Sequence, residues 1–475
     1  MKRVKPLIVG FVMLGCAVMG VGIAASVPSR PPRNQDARVS RLQNTQVIPV
    51  PSSTQASLDG LRANIQHIVF ILKENRSFDS YFGQFPGANG ATTGKMSDGT
   101  IIDLTQHPTP EPLNHDIRHN YADFRVAYDH GANDGFDLEL NAIYHGVNNA
   151  YTQMREGQIP NYWQYARTYG LGDNTFSDYR GNSFGNNLFS IAAQSGRYDH
   201  TLHFRGVNGI PQPPRGESLN TWWGCDDPVG TTVKLLGSDG SKSSAFPCFS
   251  FEALPNKLAA EGISWKVYAP IGQRGNAHNV LDAISSARKD PNLWANDVPL
   301  SGFTSDALNG RLPSVSWVVS TQTEHPVQLA CDGENKSVRY VNAIMNGPDW
   351  SSTAIFIVWD EWGGFYDHVP PPQPDNYSYG FRVPLLVISP YVKYGPGSNG
   401  GYVNTTFFSQ SSILKFIEDN WGIDPLTPRD AGSNNMMDFF DFSQVPKPKL
   451  ILTHHSCPLL SPAQQAAADQ SAEED

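Results

Sequence analysis

TAIFIVWDEWGGFYDHVPPP, residues 353–372, opens with six apolar residues in a row, Ala354 to Trp359. The run is short for a helix and rich in β-branched and aromatic types. That is the pattern of a strand buried on both faces of a parallel sheet. Two adjacent carboxylates, Asp360 and Glu361, end it, and Gly363 and Gly364 let the chain turn sharply. Open α/β sheets take their ligands just beyond the carboxyl ends of their strands. Anions side by side repel unless a cation or a proton lies between them. The pair therefore reads either as metal ligands or as an acidic turn capping a strand.

The same design recurs along the chain. Ile65 to Leu72 (IQHIVFIL) reads as a strand and runs straight into Lys73, Glu74 and Asn75. A carboxylate and an amide there can both offer oxygen to a hard or borderline cation. Asn75, Ser77 or Asp79 can equally cap a helix. Ser314 to Val319 (SVSWVV) leads into Glu324-His325-Pro326, and Val383 to Ile388 (VPLLVI) is one more strand. Helical patterns lie at Pro160 to Tyr169, with proline in the first turn, at Phe251 to Glu261 and at Phe407 to Trp421. Ile263 to Tyr268 reads as a strand. Strands followed by helices predict an α/β fold with a mainly parallel sheet and helices on both faces. Three strands ending in acids (Glu74, Glu324 and Asp360/Glu361) favour the metal-site reading over coincidence.

Ser183 lies in a Gly/Asn-rich turn before a helix expected over Asn187 to Ala193. A hydroxyl at a helix N-terminus sits in the positive field of free backbone N–H groups, where a phosphoryl group can be held. A nucleophilic serine still needs a base or a metal, and plain capping explains the position as well. His115, in the stretch Asn114-His115-Asp116, reads as a surface residue or a catalyst. The glycine-, proline- and tryptophan-rich stretch 205–250 reads as an insertion near the cleft mouth that sets substrate choice.

The chain has 475 residues, a formal charge of -10 and 17% charged residues, with no basic cluster, so nucleic acid is excluded as an expected partner. Gly (42) and Pro (36) imply long ordered loops. There is no internal repeat, and residues 59–460 read as one catalytic domain. Residues 1–26 read as an export signal or membrane anchor: Lys2, Arg3 and Lys5 precede an apolar run over 7–25. A periplasmic or extracellular location follows. Residues 27–58 read as a polar linker and 461–475 as a disordered tail. Apart from Cys16, Cys225, Cys248, Cys331 and Cys457 remain, which allow two disulfides in three pairings or buried free thiols. Cys225 with Cys248 is the expected pair, since they flank one insertion.

Several runs together resemble a known family. HIVFILKENRSFDSYFG, LPSVSWVVSTQTEHP, VWDEWGGFYDHVPPP and VPLLVISPYV occur in the order found in the bacterial phosphoesterase family. That family contains phosphatidylcholine-type phospholipases C and exported acid phosphatases, and is similar to the alkaline-phosphatase superfamily. The resemblance covers roughly residues 65 to 420. It implies an alkaline-phosphatase-like α/β core with long loop insertions, and a divalent metal held by Glu74, Asn75, Asp360 and Glu361. It implies Ser183 as nucleophile, with His115 and His325 as active-site histidines. Many relatives carry Pro-Asn-Arg after the nucleophile, where this chain has Gly185-Asn186-Asn187. The expected activity is metal-dependent hydrolysis of phosphate esters, as an acid phosphatase or alternatively as a phospholipase C. The absence of a twin-arginine leader and of a long C-terminal extension points to the acid-phosphatase branch.

Overall fold

The computed structural model describes residues 54–196, 224–227, 229–236, 242–270, 272, 275, 278–320, 324–374, 379–396, 399–462 and 464–465. The segment read as leader, most of the linker and of the tail, and the tryptophans of the insertion lie outside these residues. A helix, Gln55–Asn64, starts inside the stretch read as linker, and its Leu58 packs on the core.

The central sheet has eight strands in the order Asp297–Pro299, Trp265–Ala269, Val315–Val319, His67–Lys73, Thr353–Trp359, Leu385–Ile388, Gly170–Gly172, Tyr402–Asn404. The first five run parallel; Leu385–Ile388 is antiparallel to both its neighbours; the last two are parallel to each other. Every residue of Thr353–Trp359 is buried, as its unbroken apolar run requires. Each fully buried Ile, Val or Phe here is worth about 1.5–3 kcal/mol of transfer free energy. The sequence pattern does not reveal the reversal at Leu385–Ile388. A four-residue apolar run looks the same in either direction, because both orientations bury both faces at the sheet centre.

The three middle strands hold the site. Leu72 pairs with Val319 on one side and Val358 on the other, and Lys73 pairs with Trp359. In-register parallel strands end at one level, so Glu74 and Asn75 emerge beside Asp360 and Glu361. Helices Pro160–Thr168, Ser183–Ala192, Ala330–Asn346 and Gln410–Trp421 flank the sheet. A second, smaller core of Leu104, Leu113, Ile117, Phe124, Phe136, Tyr151, Trp362, Phe365 and Phe381 joins segment 104–151 to the chain after Glu361.

Two disulfides are present, Cys225–Cys248 and Cys331–Cys457, with Cα–Cα distances of 4.5 and 5.5 Å. The first is the pair expected from the insertion. The second joins the start of helix Ala330–Asn346 to the C-terminal segment.

Candidate metal and phosphoryl site

Asn75 turns the chain out of the first core strand with φ 58°. That left-handed conformation is costly for most side chains and commonest in Asn and Gly. The turn is braced from below. The Asp360 carboxylate Oδ1 accepts the backbone N–H of Asn75 at 2.9 Å and that of Glu361 at 2.8 Å. Glu361 Oε2 accepts the N–H of Gly363 at 2.8 Å. Gly363 has φ 62°, and a Cβ there would stand 2.3 Å from the Asn75 carbonyl oxygen. Glycine is therefore required where the two strand ends meet.

Glu74, Asn75, Asp360 and Glu361 are all fully buried. The second Asp360 oxygen, Oδ2, makes no hydrogen bond of normal geometry, although Ser183 and Glu74 stand close enough to affect its carboxyl. Burial holds the Asp360 carboxyl well above the usual carboxylate range, and the Glu74 charge adds to this. Burial does the same to Glu361, with Asp360 adding its repulsion. The Asn75 side-chain oxygen faces carboxylate oxygens of Glu74 and Glu361; the contact with Glu74 Oε2 is 2.9 Å. Hydrogen bonding alone would demand that amide the other way round. A cation between the Asn75 amide oxygen and the Glu74 and Glu361 carboxylates would account for that orientation, and carboxylate and amide oxygens are donors that hard or borderline divalent cations take.

Ser183 is the first residue of helix Ser183–Ala192, not part of the turn before it. Its hydroxyl is 3.2 Å from Glu74 Oε2 and 3.4 Å from Asn75 Oδ1. Asn186, one turn into the helix, fixes the approach: it accepts from Tyr179 N–H and donates to the carbonyls of Tyr179, Gly181 and Asn182. This is local work for Asn186 in the very place where the sequence departs from the Pro-Asn-Arg pattern.

Two histidines absent from the expected set enter here. His278 Nε2 is 3.0 Å from Glu74 Oε1. His119 Nε2 is 3.2 Å from the Asn75 amide and 3.4 Å from Glu361 Oε1. His119 Nδ1 lies 2.5 Å from the Ile117 carbonyl oxygen, which can only accept, so Nδ1 carries the proton. Asp116, His119 and His325 each place one ligand atom within 4.8 Å of the others, and could also hold a metal. His325 Nε2 is 3.7 Å from Asp116 Oδ2.

His115 is not brought to this cluster. It is exposed and stacks on Tyr144 at 4.9 Å. Its neighbour Asp116 and, three residues further along the same loop, His119 face the site instead. Nothing local marked His278 or His119; each is a single histidine in a loop, and only the fold brings them to the acids. Glu324, the third strand-end acid, turns the other way. It forms a fully buried ion pair with Lys73 at 3.0 Å and accepts from Trp359 Nε1 at 2.7 Å and Tyr162 Oη at 2.5 Å. Burial lowers the Lys73 pKa while Glu324 opposes the shift. Gly333 admits this pair, since a Cβ there would stand 2.1 Å from Glu324 Cγ. A further group, Asp79, Asp367 and His368, already holds a cation of the chain itself, buried Arg382, 2.8 Å from Asp367 and 3.2 Å from Asp79.

The chain is 24% identical over 453 residues to a hemolytic phospholipase C of Pseudomonas aeruginosa, covering 81% of this chain and 57% of that one. It is 25% identical over 459 residues to phospholipase C A of Mycobacterium tuberculosis, covering 82% and 79%. It is 25% identical over 425 residues to non-specific phospholipase C5 of Arabidopsis thaliana, covering 77% and 72%. The chain spans just over half the length of the Pseudomonas and Burkholderia relatives it matches (55–57%). Among solved structures, it is 10% identical to a protein in the alkaline phosphatase superfamily from Vibrio parahaemolyticus, with a TM-score of 0.32 over 81% of this chain and 78% of that one. The family profile runs from the first core strand to the last core helix, residues 65–424, and the chain accordingly belongs to the Phosphoesterase family.

Proposed function

We propose that the chain is a metal-dependent phosphoric ester hydrolase with Ser183 as nucleophile, acting on phospholipid phosphodiesters as a phospholipase C. The observation that carries this reading is the meeting of four buried oxygen ligands with a hydroxyl at a helix N-terminus. Ser183 Oγ stands 3.2 Å from Glu74 Oε2 at that point.

A divalent cation held by Glu74, Asn75, Asp360 and Glu361 would supply positive charge beside the serine hydroxyl and the phosphoryl oxygens. The protein's own groups do the rest. The free N–H groups of helix Ser183–Ala192 favour a phosphoryl group beside Ser183. Glu74 accepts the hydroxyl hydrogen bond, so the proton lost from Oγ has an acceptor in place. Attack of Oγ on phosphorus forms a phosphoserine as the bond to the leaving alcohol breaks. His325, 3.7 Å from Asp116, and His119, whose Nδ1–H is held by Ile117, would bind phosphoryl oxygens or protonate that alcohol through Nε2 when it also carries a proton. Water then displaces Ser183 and releases the phosphate product.

The phospholipid substrate is favoured by the names of the relatives. Hydrolysis of monoesters, as an acid phosphatase, is the other outcome of the test. Turnover is measured on phosphatidylcholine and on p-nitrophenyl phosphate, before and after chelation, in wild type and Ser183→Ala. Metal-dependent turnover of phosphatidylcholine, lost in Ser183→Ala, is the expected result. Activity confined to the monoester makes the chain a phosphatase, and activity untouched by chelation overturns the metal assignment.

A further inference from the structure

One buried carboxylate joins three of the segments that carry the site. Lys73 directly precedes Glu74 and Asn75, and Trp359 directly precedes Asp360 and Glu361. The two are register partners at the ends of neighbouring strands, so their side chains leave the sheet on the same face. Glu324 meets both there. Its Oε1 is 3.0 Å from Lys73 Nζ, and its Oε2 accepts the Trp359 indole N–H at 2.7 Å. Glu324 in turn directly precedes His325. The residue just before each of these parts of the site is therefore tied to the same carboxylate.

The tie is braced on its far side. Tyr162, on helix Pro160–Thr168, donates to Glu324 Oε1 at 2.5 Å, and Tyr81 donates to Oε2 at 3.4 Å. Lys73 Nζ also donates to the carbonyls of Ser320 at 3.3 Å and Gly333 at 3.1 Å. The chain is thus held just before Glu324 and again in helix Ala330–Asn346 after it. Both charges of the pair are fully buried. Stability is a poor account of such a pair, since apolar residues of similar volume in its place are often neutral or stabilising. A satisfied buried polar network instead fixes one arrangement of the groups around it.

His325 is the group that gains from a fixed arrangement. It is buried, with Nε2 3.7 Å from Asp116 Oδ2 and 3.3 Å from the Asn75 side-chain amide. A misplacement of about 1 Å caused outside the chemistry can cost about 10² in rate. Slack at Glu324 passes to His325 through one peptide bond.

We propose that Glu324 is a positioning residue: gripped by Lys73 and Trp359, it sets His325 against Glu74, Asn75, Asp360 and Glu361. The proposal deepens the hydrolase reading and rests on it for what His325 does to the substrate, while the placement of His325 is measurable without turnover.

The test compares wild type, Lys73→Met/Glu324→Gln, His325→Gln and the variant carrying all three changes. The paired change removes both buried charges together, so neither is left unpaired, and urea denaturation gives the folded fraction by which turnover is corrected. Turnover at saturating divalent cation is read on p-nitrophenyl phosphorylcholine, whose phenolate leaves without a proton, and on dispersed short-chain phosphatidylcholine, whose alcohol needs one. The paired variant should lose about tenfold or more in kcat on phosphatidylcholine, with KM and cation affinity within about threefold of wild type. The loss on the p-nitrophenyl ester should be smaller, and in the His325→Gln background the paired change should cost nothing further. In histidine-labelled protein, the His325 imidazole signals should shift or broaden in the paired variant while those of His278 stay in place. Unmoved His325 signals would overturn the proposal, as would losses that add to those of His325→Gln. A fall in cation affinity that accounts for the lost turnover would overturn it too, since Glu324 would then act on the metal ligands. Moved His325 signals in a protein that hydrolyses neither ester would sink the hydrolase reading and leave the positioning role standing.

Discussion

Asp360→Asn separates shape from charge. Asp360 Oδ1 accepts two backbone N–H groups, at 2.9 and 2.8 Å, and an amide oxygen can accept both. What disappears is one negative charge among Glu74, Asp360 and Glu361, all fully buried. Two unit charges about 4 Å apart at an effective dielectric of about 20 interact by about 4 kcal/mol. In chelator, wild type bears this crowding as a raised Asp360 pKa, caused first by burial and then by the Glu74 charge. The variant has no such cost and gains an amide N–H facing Glu74. Chelated Asp360→Asn should therefore unfold at a temperature equal to or above that of chelated wild type, with a gain of up to about 3 kcal/mol. Added cation reverses the order, because the charge removed was a ligand charge. Cation affinity should fall by about 10²–10³, and turnover with it. Thermal unfolding along a titration with divalent cations, with turnover read on the same samples, measures both signs. A chelated variant clearly less stable than chelated wild type would refute the crowding of charge. Equal cation-induced shifts with equal turnover would refute the ligand assignment.

Ser183→Ala should lower turnover by about 10³ or more with little change in unfolding, and acid quenching of wild type should trap phosphate on the peptide containing Asn182-Ser183-Phe184. A trapped phosphate elsewhere would move the nucleophile. Lys73→Met leaves the Glu324 carboxylate buried without its cation and should cost about 3–5 kcal/mol in urea denaturation; Lys73→Met/Glu324→Gln should recover much of that, and a double variant no better than the single would count against a shared ion pair. Glu418 is buried, and burial together with the neighbouring Asp430 carboxyl pushes its pKa up to about 9 from 4.5. Between those values the unfolded chain releases a proton that the folded chain keeps, so stability falls as pH rises, by up to about 1.4 kcal/mol per unit. Glu418→Gln should thus be more stable than wild type at pH 8 and no more stable at pH 4; a difference independent of pH, by calorimetry, would show that the carboxyl is already ionised in the fold.

Much of this protein is local in origin. A buried run such as Ala354–Trp359 satisfies its apolar side chains inside a sheet, and an acid placed directly after it emerges at the carboxyl end of the strands. The core strands, Glu74, Asn75, Asp360 and Glu361 were therefore legible from order along the chain. Cys225 and Cys248 were legible as a pair because they sit 23 residues apart around one loop. Partnership across long separations was not. Glu324 follows a strand as Glu74 does, yet Lys73 draws it into an ion pair because Gly333 leaves it room. His115 and His119 lie on the same segment. The Ile117 carbonyl aims the second at Glu361, while the first stays on the surface with Tyr144. His278 reaches Glu74 across more than two hundred residues of chain, and Leu385–Ile388 runs antiparallel. Side-chain type and spacing determine which residues must be buried and where a strand must end. Which histidine meets which carboxylate, and which way a short buried strand runs, depends on how distant segments pack, and only the tertiary structure decides it.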